Sequence, residues 1–422
     1  MFLQKLKTII KDPDLRKKIL FVLMILAIFR IAAALPIPGV DPARLSAFLS
    51  GNQFFGLLNV FSGGALANLS VVMLGVGPYI TASIIMQLLT MIFPKLKEIY
   101  QEEGAAGRQK FNQISRYLTV PLAALQGFSL LALLERQEVL SGLVFFDRFV
   151  NVVIVVAGAV FLMWLGELIS EYGIGNGVSL MIFAGIVVRI PQVIQQTLVN
   201  FDVSQVPLYA GFLAAAVLII AGVVVVTEGQ RPIPVSYAKR VRGMKVYGGI
   251  STYLPLRVNQ AGVIPIIFAL SILLFPQMIT SVLSGVLGEG AQGVLSSVNA
   301  FFNNPWVYAS FYFILVFLFT YFYTAVTFDP EAISKNLQKS GAFIPGIRPG
   351  RSTAEYISKI LNRITLVGAV FLGLIAVLPL GMRAVTGMVS LTIGGTALLI
   401  VVSVVLETIK QVQSQVVMRE YE

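Results

Sequence analysis

Residues 71–93 read VVMLGVGPYITASIIMQLLTMIF, a run of 23 residues without a charge. As an α-helix this run would be about 34 Å long, enough for the roughly 30 Å hydrocarbon core of a bilayer. It contains the hexapeptide GVGPYI at 75–80, in which glycine and proline weaken the start of a helix. Such a start is tolerated inside a membrane only where protein or a water-filled cavity satisfies the backbone. The stretch therefore predicts a membrane helix that begins beside something other than lipid.

The composition extends this prediction to the whole chain. Of its 422 residues 57% are hydrophobic and 12% are charged, and the mean hydropathy is +0.85. Soluble domains are about 45–50% apolar and about 25% charged, so a water-soluble protein of this size could not cover so much apolar surface. The absence of cysteine and histidine removes disulfides, thiol nucleophiles, the usual general base and the commonest metal ligands. We expect an integral membrane protein without catalytic residues, metal or cofactor.

Nine further apolar runs are long enough to cross the hydrocarbon core. The first of the ten could be a cleavable signal peptide, because Ala32 to Ala34 resemble a cleavage site, but its length, Arg30 within it and the nine runs that follow favour a retained span. The predicted fold class is all-α, a multi-pass membrane protein with ten transmembrane helices. The predicted spans are Ile19–Leu35, Val71–Phe93, Tyr117–Leu134, Val150–Leu168, Val178–Leu198, Leu208–Thr227, Gly262–Leu283, Trp306–Phe328, Ile364–Leu380 and Met388–Leu406.

Lysine and arginine are sorted sharply between the segments that connect the spans. Starting with the N-terminal tail, alternate segments carry 25 of the 31 Lys and Arg residues. The intervening segments carry 5 when Arg189, in the fifth span, is counted with the segment that follows it, and Arg30 lies inside the first span. Basic loops stay on the cytoplasmic side of a membrane. The pattern predicts both termini and the large basic loops in the cytoplasm, and one missed span would have disturbed the alternation.

The pattern of the hexapeptide at 75–80 recurs in the second half of the chain. GVIPII at 262–267 shares the pattern G-V-x-P-x-I, and each copy opens the second span of its set of five. Because five is an odd number, the second half must lie upside down relative to the first, and the interface of such repeats usually holds a transport path. We predict two inverted five-helix halves. Their bounds are 19–200 and 201–406, between cytoplasmic tails at 1–18 and 407–422.

The segment before the first copy is too short and too rich in small residues to span. Phe54–Leu69 contains FSGGAL at 61–66 and is equally compatible with an external loop and with a re-entrant half-helix that fills the centre of the molecule. The spans hold almost no ionisable residue apart from Arg30. A path between them would be lined by aliphatic side chains, which resist ions by dewetting and yield to a large substrate. Ordinary helix packing without a path would leave the same pattern.

Two long loops on the predicted cytoplasmic side carry basic residues in structured contexts. In the loop at about 228–259, short apolar runs flank Arg242 and Gly243 and predict a β-ribbon with a basic tip. In the loop at about 329–360, prolines on both sides of Arg348 limit the backbone and present that side chain on a stiff loop. Such charges often only fix topology or touch anionic lipid. The shaped projections also suit RNA phosphates or an acidic protein surface.

Several motifs, in order along nearly the whole chain, resemble the SecY family, the channel subunits of bacterial Sec protein translocases. The resemblance implies an hourglass channel of two five-helix halves around a central pore, which opens across the membrane and sideways into lipid. The motifs are FR at 29–30 with PIPG at 36–39, FSGGAL at 61–66, PYITASIIMQLL at 78–89, MWLGE at 163–167 with GIGNG at 173–177, LRVNQAGVIP at 256–265 and KSGAFIPGIRPG at 339–350.

The resemblance also implies roles for particular residues, carried over motif by motif. An aliphatic ring forms the constriction, and a short plug half-helix at about 59–70 seals it. A lateral gate runs between the second and third spans on one side and the seventh and eighth on the other, and basic loops engage the SecA motor or the ribosome. The implied residues are Val76, Ile80, Ile182, Ile267 and Ile400 for the ring; Phe61, Ser62, Gly63, Gly64, Ala65 and Leu66 for the plug; Thr81, Gln126 and Asn259 for the gate; and Arg240, Arg242, Lys245, Arg348 and Arg351 for the loops.

The implied function is a passive channel in the bacterial plasma membrane for unfolded secretory polypeptides, with transmembrane segments released sideways into lipid. The chain has no G-x-x-x-x-G-K-[ST] phosphate loop, so the energy would come from SecA or a translating ribosome. The other implied partners are SecE and SecG, signal peptides, nascent polypeptides and membrane lipids. From the residues alone, the rival is a secondary transporter of small solutes with a five-plus-five repeat. A membrane-embedded enzyme would lack His, Cys and paired intramembrane carboxylates.

Overall fold

The structure is a computed structural model, and helices dominate the part of the chain that it describes. For 240–242 and 245–247 it describes the backbone alone. The described residues are 12–38, 45, 59, 62–101, 103–136, 139–140, 144–199, 206–237, 240–242, 245–247, 251–286, 292–386 and 394–420.

In the first half of the chain, the described residues form seven helices. Asp12 caps the first one, because its carboxylate accepts hydrogen bonds from the main-chain N–H groups of Asp14 (2.9 Å) and Leu15 (3.3 Å). Asn176 caps the sixth helix in the same way. The helices are α1 (Pro13–Ala34), α2 (Gly77–Ile92), α3 (Pro94–Gln101), α4 (Gly104–Arg136), α5 (Phe145–Tyr172), α6 (Gly177–Val187) and α7 (Arg189–Val199).

In the second half, the described residues form seven helices and five short strands. Asn304 and Asp329 cap two of the helices with their side-chain oxygens. The elements are α8 (Val206–Glu228), β1 (Gln230–Tyr237), β2 (Arg240–Arg242), β3 (Lys245–Tyr247), β4 (Ser251–Arg257), α9 (Ile264–Val286), α10 (Gln292–Asn303), α11 (Pro305–Thr327), α12 (Pro330–Lys339), β5 (Ala342–Phe343), α13 (Arg351–Thr386) and α14 (Gly394–Glu420).

Of the described helices, six are long and apolar enough to cross a membrane, or seven if one bent pair is a single span. The bent pair is α2 and α3, which meet at 116° where Pro94 begins the second helix. The predicted spans Ile19–Leu35, Val178–Leu198 and Gly262–Leu283 also fall on helices, and the second of these is divided between α6 and α7 at Val188. The number of ten spans stays a prediction.

The helix contacts of the first half recur in the second. When the predicted spans are numbered 1 to 10, the pairs 1–5, 2–3, 2–4, 3–4 and 4–5 pack together, and so do the pairs 6–10, 7–8, 7–9, 8–9 and 9–10. Every pair in the second set is a pair of the first set shifted by five spans, which is the pattern that an internal repeat of five predicts. The pair 1–4 also packs, and its counterpart is a narrower contact between Gly222 and Phe371.

The two hexapeptides start their helices with the same backbone. Gly75 and Gly262, the first residue of each copy, have φ angles of 59° and 62°. This left-handed conformation favours glycine because a Cβ atom would clash with the neighbouring carbonyl oxygen. Pro78 and Pro265 then lie in the first turns of α2 and α9, where the missing N–H is not needed.

Each copy is also approached by a glycine of the corresponding helix. A Cβ added to Gly158 of α5, in span 4, would lie 1.9 Å from the carbonyl oxygen of Val71. A Cβ added to Gly368 of α13, in span 9, would lie 2.7 Å from the carbonyl oxygen of Val258. Each valine stands four residues before the first glycine of its hexapeptide. The repeat is therefore visible in the close packing of the backbone as well as in the sequence.

The two halves share one core and meet at two seams. At the first seam α9 packs against α2 and α4, and at the second α14 packs against α6. Between the seams, a single cluster of apolar side chains includes Phe29 and Leu165 from the first half with Phe268 and Val404 from the second. We call this set of side chains the central cluster.

The long basic loops fold into a module of their own. β1 pairs antiparallel with β4 and also with β5, so that a three-stranded sheet in the order β4-β1-β5 joins loops more than one hundred residues apart. Ile233, Leu256, Ile344 and Ile357 are buried together beneath it. We call the end of the molecule that carries α3, α12, this sheet and the start of α13 the basic end.

A second, smaller pair of strands confirms the predicted β-ribbon. β2 and β3 are antiparallel, with Arg240 opposite Tyr247 and Arg242 opposite Lys245. Short strands are compatible with these residues because Val and Tyr favour extended backbone. The described chain is mainly helical, as predicted, and its five short strands lie in the long basic loops, three of them in the sheet at the basic end.

Candidate functional site

The five residues predicted for the ring all lie in or against the central cluster. Val76, Ile182, Ile267 and Ile400 are buried members of it, and Ile80 is half-buried and packs against it. Val76 is the cap residue of α2, and the N–H of Ile80 donates to its carbonyl oxygen (3.1 Å), so both side chains stand on one face of that helix. The cluster has many other members, so the ring itself stays a prediction.

The segment predicted as the plug is buried, but it is not a half-helix. Phe61 lies outside the described residues, and 62–69 form consecutive turns. Gly63 and Gly64 have φ angles of 70° and 85°, which interrupt a helix. Ala65 and Leu66 are fully buried. We call residues 62–69 the plug segment.

Polar contacts hold the plug segment to its neighbours in the first half. The main-chain N–H of Ala67 donates to Oδ1 of Asn59 (2.9 Å), and Nδ2 of Asn68 donates to the carbonyl oxygen of Ala33 (3.4 Å). The N–H of Ile37 donates to the carbonyl oxygen of Leu69 (2.8 Å). These bonds satisfy main-chain groups that would otherwise be buried without partners.

Two contacts tie Gly63 to the flanking helices. Nη1 of Arg30 in α1 donates to the carbonyl oxygen of Gly63 at 2.5 Å. On the other side, a Cβ added to Gly185 in α6 would lie 2.2 Å from Cα of Gly63. Gly185 follows Ile182, a predicted ring residue, by three positions, so the two share a helix face. The plug segment therefore rests beside the predicted ring.

Neither of these two contacts is predicted by the sequence. Arg30 was visible in the sequence as a lone charge inside a span, and such charges commonly mark functional sites. Its partner could not be read from the sequence because the carbonyl oxygen belongs to a residue 33 positions away. Gly185 is one glycine among 37, and only the packing distinguishes it.

The three residues predicted for the lateral gate are all buried, and two of them are close together. Nε2 of Gln126 in α4 lies 3.5 Å from Oγ1 of Thr81 in α2, at the long limit of a hydrogen bond. Nδ2 of Asn259 donates to the carbonyl oxygen of Gly262 within its own turn (3.2 Å), and its Oδ1 has no partner among the described residues. The structure thus pairs Thr81 with Gln126 across spans 2 and 3 and leaves Asn259 in the turn before span 7.

The residues predicted to contact a motor or ribosome all lie at the basic end. Arg348 is exposed, and its carbonyl oxygen accepts from Oγ1 of Thr353 (2.9 Å). Oγ of Ser334 donates to the carbonyl oxygen of Gly350 (2.6 Å), so the Arg348 loop is tied to α12 and α13. Arg351 is exposed beside Glu355 (3.2 Å). These bonds agree with the predicted stiff loop.

The ribbon residues predicted for the same role are described by their backbone. They stand in two facing antiparallel strands. They are Arg240, Arg242 and Lys245.

A cleft of about 1240 Å³ opens at the basic end between the two halves. Thr90 and Lys97 line it from the first half. From the second half, the basic side chains of Lys335, Arg351 and Lys359 line it together with the acidic side chains of Asp329, Glu331 and Glu355. The end of α2 therefore faces the second half across a hollow of mixed charge.

The sequence matches known proteins over nearly its full length. The family model described as SecY matches residues 70–409. The chain is 46% identical over 432 residues to "Protein translocase subunit SecY" of Corynebacterium glutamicum, which covers 98% of this chain and 97% of that relative. It is also 46% identical over 441 residues to the protein of the same name from Mycobacterium leprae, covering 100% and 98% respectively.

The fold matches solved structures as well. One described as "The structure of a protein conducting channel" aligns with a TM-score of 0.63 at 17% identity, covering 94% of this chain and 91% of the other. Sec61 in the canine ribosome-channel complex aligns with a TM-score of 0.59 at 16% identity, with the same coverage. At these identities the likeness shows the fold, which is the helical SecY/Sec61 channel fold.

Proposed function

The chain belongs to the SecY family, and from that membership we propose that it is the channel through which unfolded secretory polypeptides cross the bacterial plasma membrane. The observation that carries the proposal is the position of the five predicted ring residues. They come from both halves of the chain, and all lie in or against the one cluster that both halves share. A carrier of small solutes is not favoured, because the relatives are named as protein translocase subunits.

In this proposal the ring supplies both passage and insulation. Val76, Ile80, Ile182, Ile267 and Ile400 offer no fixed charge and no hydrogen-bonding group, so they do not select among polypeptide sequences. A constriction lined by such side chains sheds water and therefore resists ions. When an extended polypeptide fills it, the same side chains contact the chain and limit the leak around it.

The plug segment would close the resting channel. Its buried apolar residues Ala65 and Leu66 and its place beside Ile182 support this role. A segment of turns is suited to the task because it leaves its position without first unfolding a helix. Displacement by an incoming polypeptide would then open the path.

Lateral release would use the first seam between the halves, where α9 packs against α2 and α4. A signal sequence is itself an apolar helix, so it can replace the contacts of α9 and shift the closed–open equilibrium toward the open state. Thr81 and Gln126 lie on α2 and α4, which border this seam, and Asn259 lies in the turn before α9; their polar groups would lower the cost of parting the seam. The second seam, of α6 and α14, would act as the hinge.

The driving energy would come from SecA or from a translating ribosome docked on the basic end. Arg348 lies on an anchored loop with Arg351 beside it, and the strands β2 and β3 add the basic residues Arg240, Arg242 and Lys245 in a paired backbone. Arginine suits a docking surface because its guanidinium binds carboxylates and phosphates in a fixed geometry. Both termini of the chain would lie on the same, cytoplasmic side.

Small membrane subunits of the SecE and SecG kind and lipid would cover the outside of the channel. Only 6% of the most apolar stretch of the span Tyr209–Glu228 in α8 is buried inside the molecule. Most of the surface of this stretch can therefore contact a partner helix. An apolar groove of about 690 Å³ runs between α4 and α5, where Ala124, Val156 and Trp164 line it. Both surfaces suit an apolar helix or an acyl chain.

A transport assay tests the proposed function. The full chain, purified with its small subunits, is reconstituted into lipid vesicles together with SecA and ATP, and protease protection of a signal-bearing precursor is measured. We expect protected precursor in these vesicles. Arg348→Glu should abolish protection with SecA, whereas Arg231→Glu, at an exposed position on β1, should retain it. Absence of protected precursor with the unmodified chain would contradict the proposal.

A further inference from the structure

We propose that Arg30 and Gly185 form a latch that holds the plug segment in its closed position. Arg30 holds the carbonyl oxygen of Gly63, and Gly185 leaves the space into which Gly63 fits. The latch rests on the proposed function in one respect, that the plug segment is the seal of a channel. Its contacts are features of this chain that hold whatever passes through it.

Arg30 is an unusual residue for its position. It lies in α1, four residues before the helix ends at Ala34, and it is the clearest charge inside any predicted span. A charged side chain at membrane depth is costly and usually faces a partner or a water-filled cavity. The described partner is the Gly63 carbonyl oxygen at 2.5 Å, and the guanidinium also lies 5.9 Å from the ring of Phe29.

Because its acceptor is a main-chain carbonyl oxygen, the hydrogen bond from Arg30 to Gly63 is both strong and reversible. A charged donor strengthens a hydrogen bond where water is scarce, so the closed position is favoured while the centre is dry. When the plug segment leaves, no buried carboxylate is left without its partner. Water that enters with a polypeptide can hydrate Arg30, and this lowers the cost of the open state only once the path is filled. A latch of this kind closes an empty channel and yields in an occupied one.

The second contact of the latch is steric. A Cβ on Gly185 would lie 2.2 Å from Cα of Gly63, and a Cβ on Gly63 would lie 2.6 Å from Cζ of Phe29. Gly63 also has a φ angle of 70°. Glycine is therefore needed at both positions, and any side chain at Gly185 lifts Gly63 and carries its carbonyl oxygen away from Arg30.

All parts of the latch belong to the first half of the chain. Arg30 is in α1, Gly63 is in the plug segment and Gly185 is in α6. Movement of the two halves apart at the α9 seam therefore leaves the latch intact. The plug segment is released by something that reaches it from within the path.

The experiment uses the absence of cysteine from the chain. Ala65→Cys places a single thiol in the plug segment at a fully buried site. The full chain, expressed with its small subunits, is kept in membrane vesicles without motor or substrate, and the rate of labelling by a membrane-impermeant maleimide is measured from each side. In the latched state we expect slow labelling.

Arg30→Met retains the apolar stem and removes the donor. We expect it to raise the labelling rate at position 65 by at least about tenfold, the effect of losing a charged hydrogen bond. Arg30→Lys retains a charged donor and should restore most of the protection. The matched control is Arg16→Met, near the exposed start of the same helix, which should label within about twofold of the parent.

Gly185→Ala breaks the latch through an independent contact and should raise the labelling rate by a similar factor. Its control is Gly211→Ala, where a Cβ meets nothing within 4 Å. If Arg30→Met fails to accumulate in the membrane, the comparison of Gly185→Ala with Gly211→Ala decides whether the latch exists. Labelling within twofold of the parent in both latch variants, or an equal rise in the controls, overturns the latch.

The outcome is separable from that of the proposed function. Fast labelling in the latch variants together with a failure of the parent chain to protect any precursor would overturn the proposed function and leave the latch standing. Protected precursor with no change in labelling would overturn the latch alone.

Discussion

The two copies of G-V-x-P-x-I begin their helices in the same way but follow different kinds of segment. In both, a glycine with φ near 60° starts the helix, and a glycine of the corresponding helix approaches the carbonyl oxygen four residues earlier. In both, the last isoleucine, Ile80 or Ile267, reaches the central cluster. The two halves therefore bring equivalent residues to the centre from equivalent helix starts.

The copies differ in what precedes them. The first follows the plug segment, which is folded into the molecule. The second follows β4, a strand of the sheet at the basic end. In the proposed function, the same helix start is thus joined to a seal in one half and to a docking module in the other. On that proposal, the repeat builds the path, and the segments before each copy divide the tasks of closing it and of recruiting a partner.

The largest effect is expected from Gly158→Ala, which breaks the approach to the first copy. The added Cβ would lie 1.9 Å from the Val71 carbonyl oxygen, Gly158 is inside helix α5, and the N–H of Val71 is held by the carbonyl oxygen of Leu35 (2.9 Å). We expect the free energy of unfolding to fall by more than about 3 kcal/mol, beyond the usual cost of overpacking. Thermal unfolding of the purified complex in detergent measures it. Gly211→Ala is the control, and equal stability of the two variants would refute the contact.

A smaller loss is expected from Gly368→Ala, at the equivalent position of the second half. Its Cβ would lie 2.7 Å from the Val258 carbonyl oxygen, so a shift of a few tenths of an ångström relieves more of the clash. We expect a loss of about 1–3 kcal/mol in the same unfolding assay. The control is Gly381→Ala in the same helix, where the Cβ has open space. A loss larger than that of Gly158→Ala would contradict the ranking.

A third test isolates the backbone conformation at the start of a copy. Gly262→Ala introduces no clash, because nothing lies within 4 Å of its Cβ, but its φ of 62° strains an alanine. We expect a loss of about 1–2 kcal/mol. The matched variant is Gly77→Ala in the first copy, which also has open space and begins the helix α2. It should be neutral or slightly stabilising, and equal losses for the two would show that strain is not the cause.

The smallest effect is expected from the surface charges at the basic end of the first half. Arg116 and Glu167 join α4 to α5 with an N–O distance of 2.7 Å, and the Arg116 side chain is 46% exposed. A double-mutant cycle on the two residues should give a coupling below about 1 kcal/mol that falls as salt is added. A coupling larger than the loss from Gly262→Ala would show that charge, rather than close packing, holds the helices of this half.

The recurrence of G-V-x-P-x-I in both halves favoured the prediction of a repeat. The spacing of glycine and proline can be read directly from the sequence, without knowledge of tertiary contacts. The valines at 71 and 258 also recur, but a valine in apolar sequence carries no signal of its own. The roles of Gly158 and Gly368 could not be predicted, since they depend on which helix lies beside which. The long-range packing of the repeat therefore could not be predicted from the sequence.

The long basic loops show the same limit. The alternation around Arg242 predicted the ribbon correctly, because a ribbon is a local structure. The pairing of β5 with β1 was not predicted, because two residues of strand, Ala342 and Phe343, carry too little pattern. For Phe54–Leu69 the residues left an external loop and a re-entrant half-helix equally open, and the resemblance implied a half-helix. At 62–69 the successive glycines Gly63 and Gly64 give consecutive turns instead.

The central claim is that Ile80 and Ile267, the last residues of the two copies, face the same path from opposite halves. The most direct test places a single cysteine at either position of the cysteine-free chain and another in a secretory polypeptide stalled midway through the membrane. After oxidation, both Ile80→Cys and Ile267→Cys should form disulfide-linked adducts with the stalled chain, while Leu218→Cys on the exposed face of α8 should not. Absence of an adduct at both positions, with the stalled chain and its motor bound, would contradict the claim.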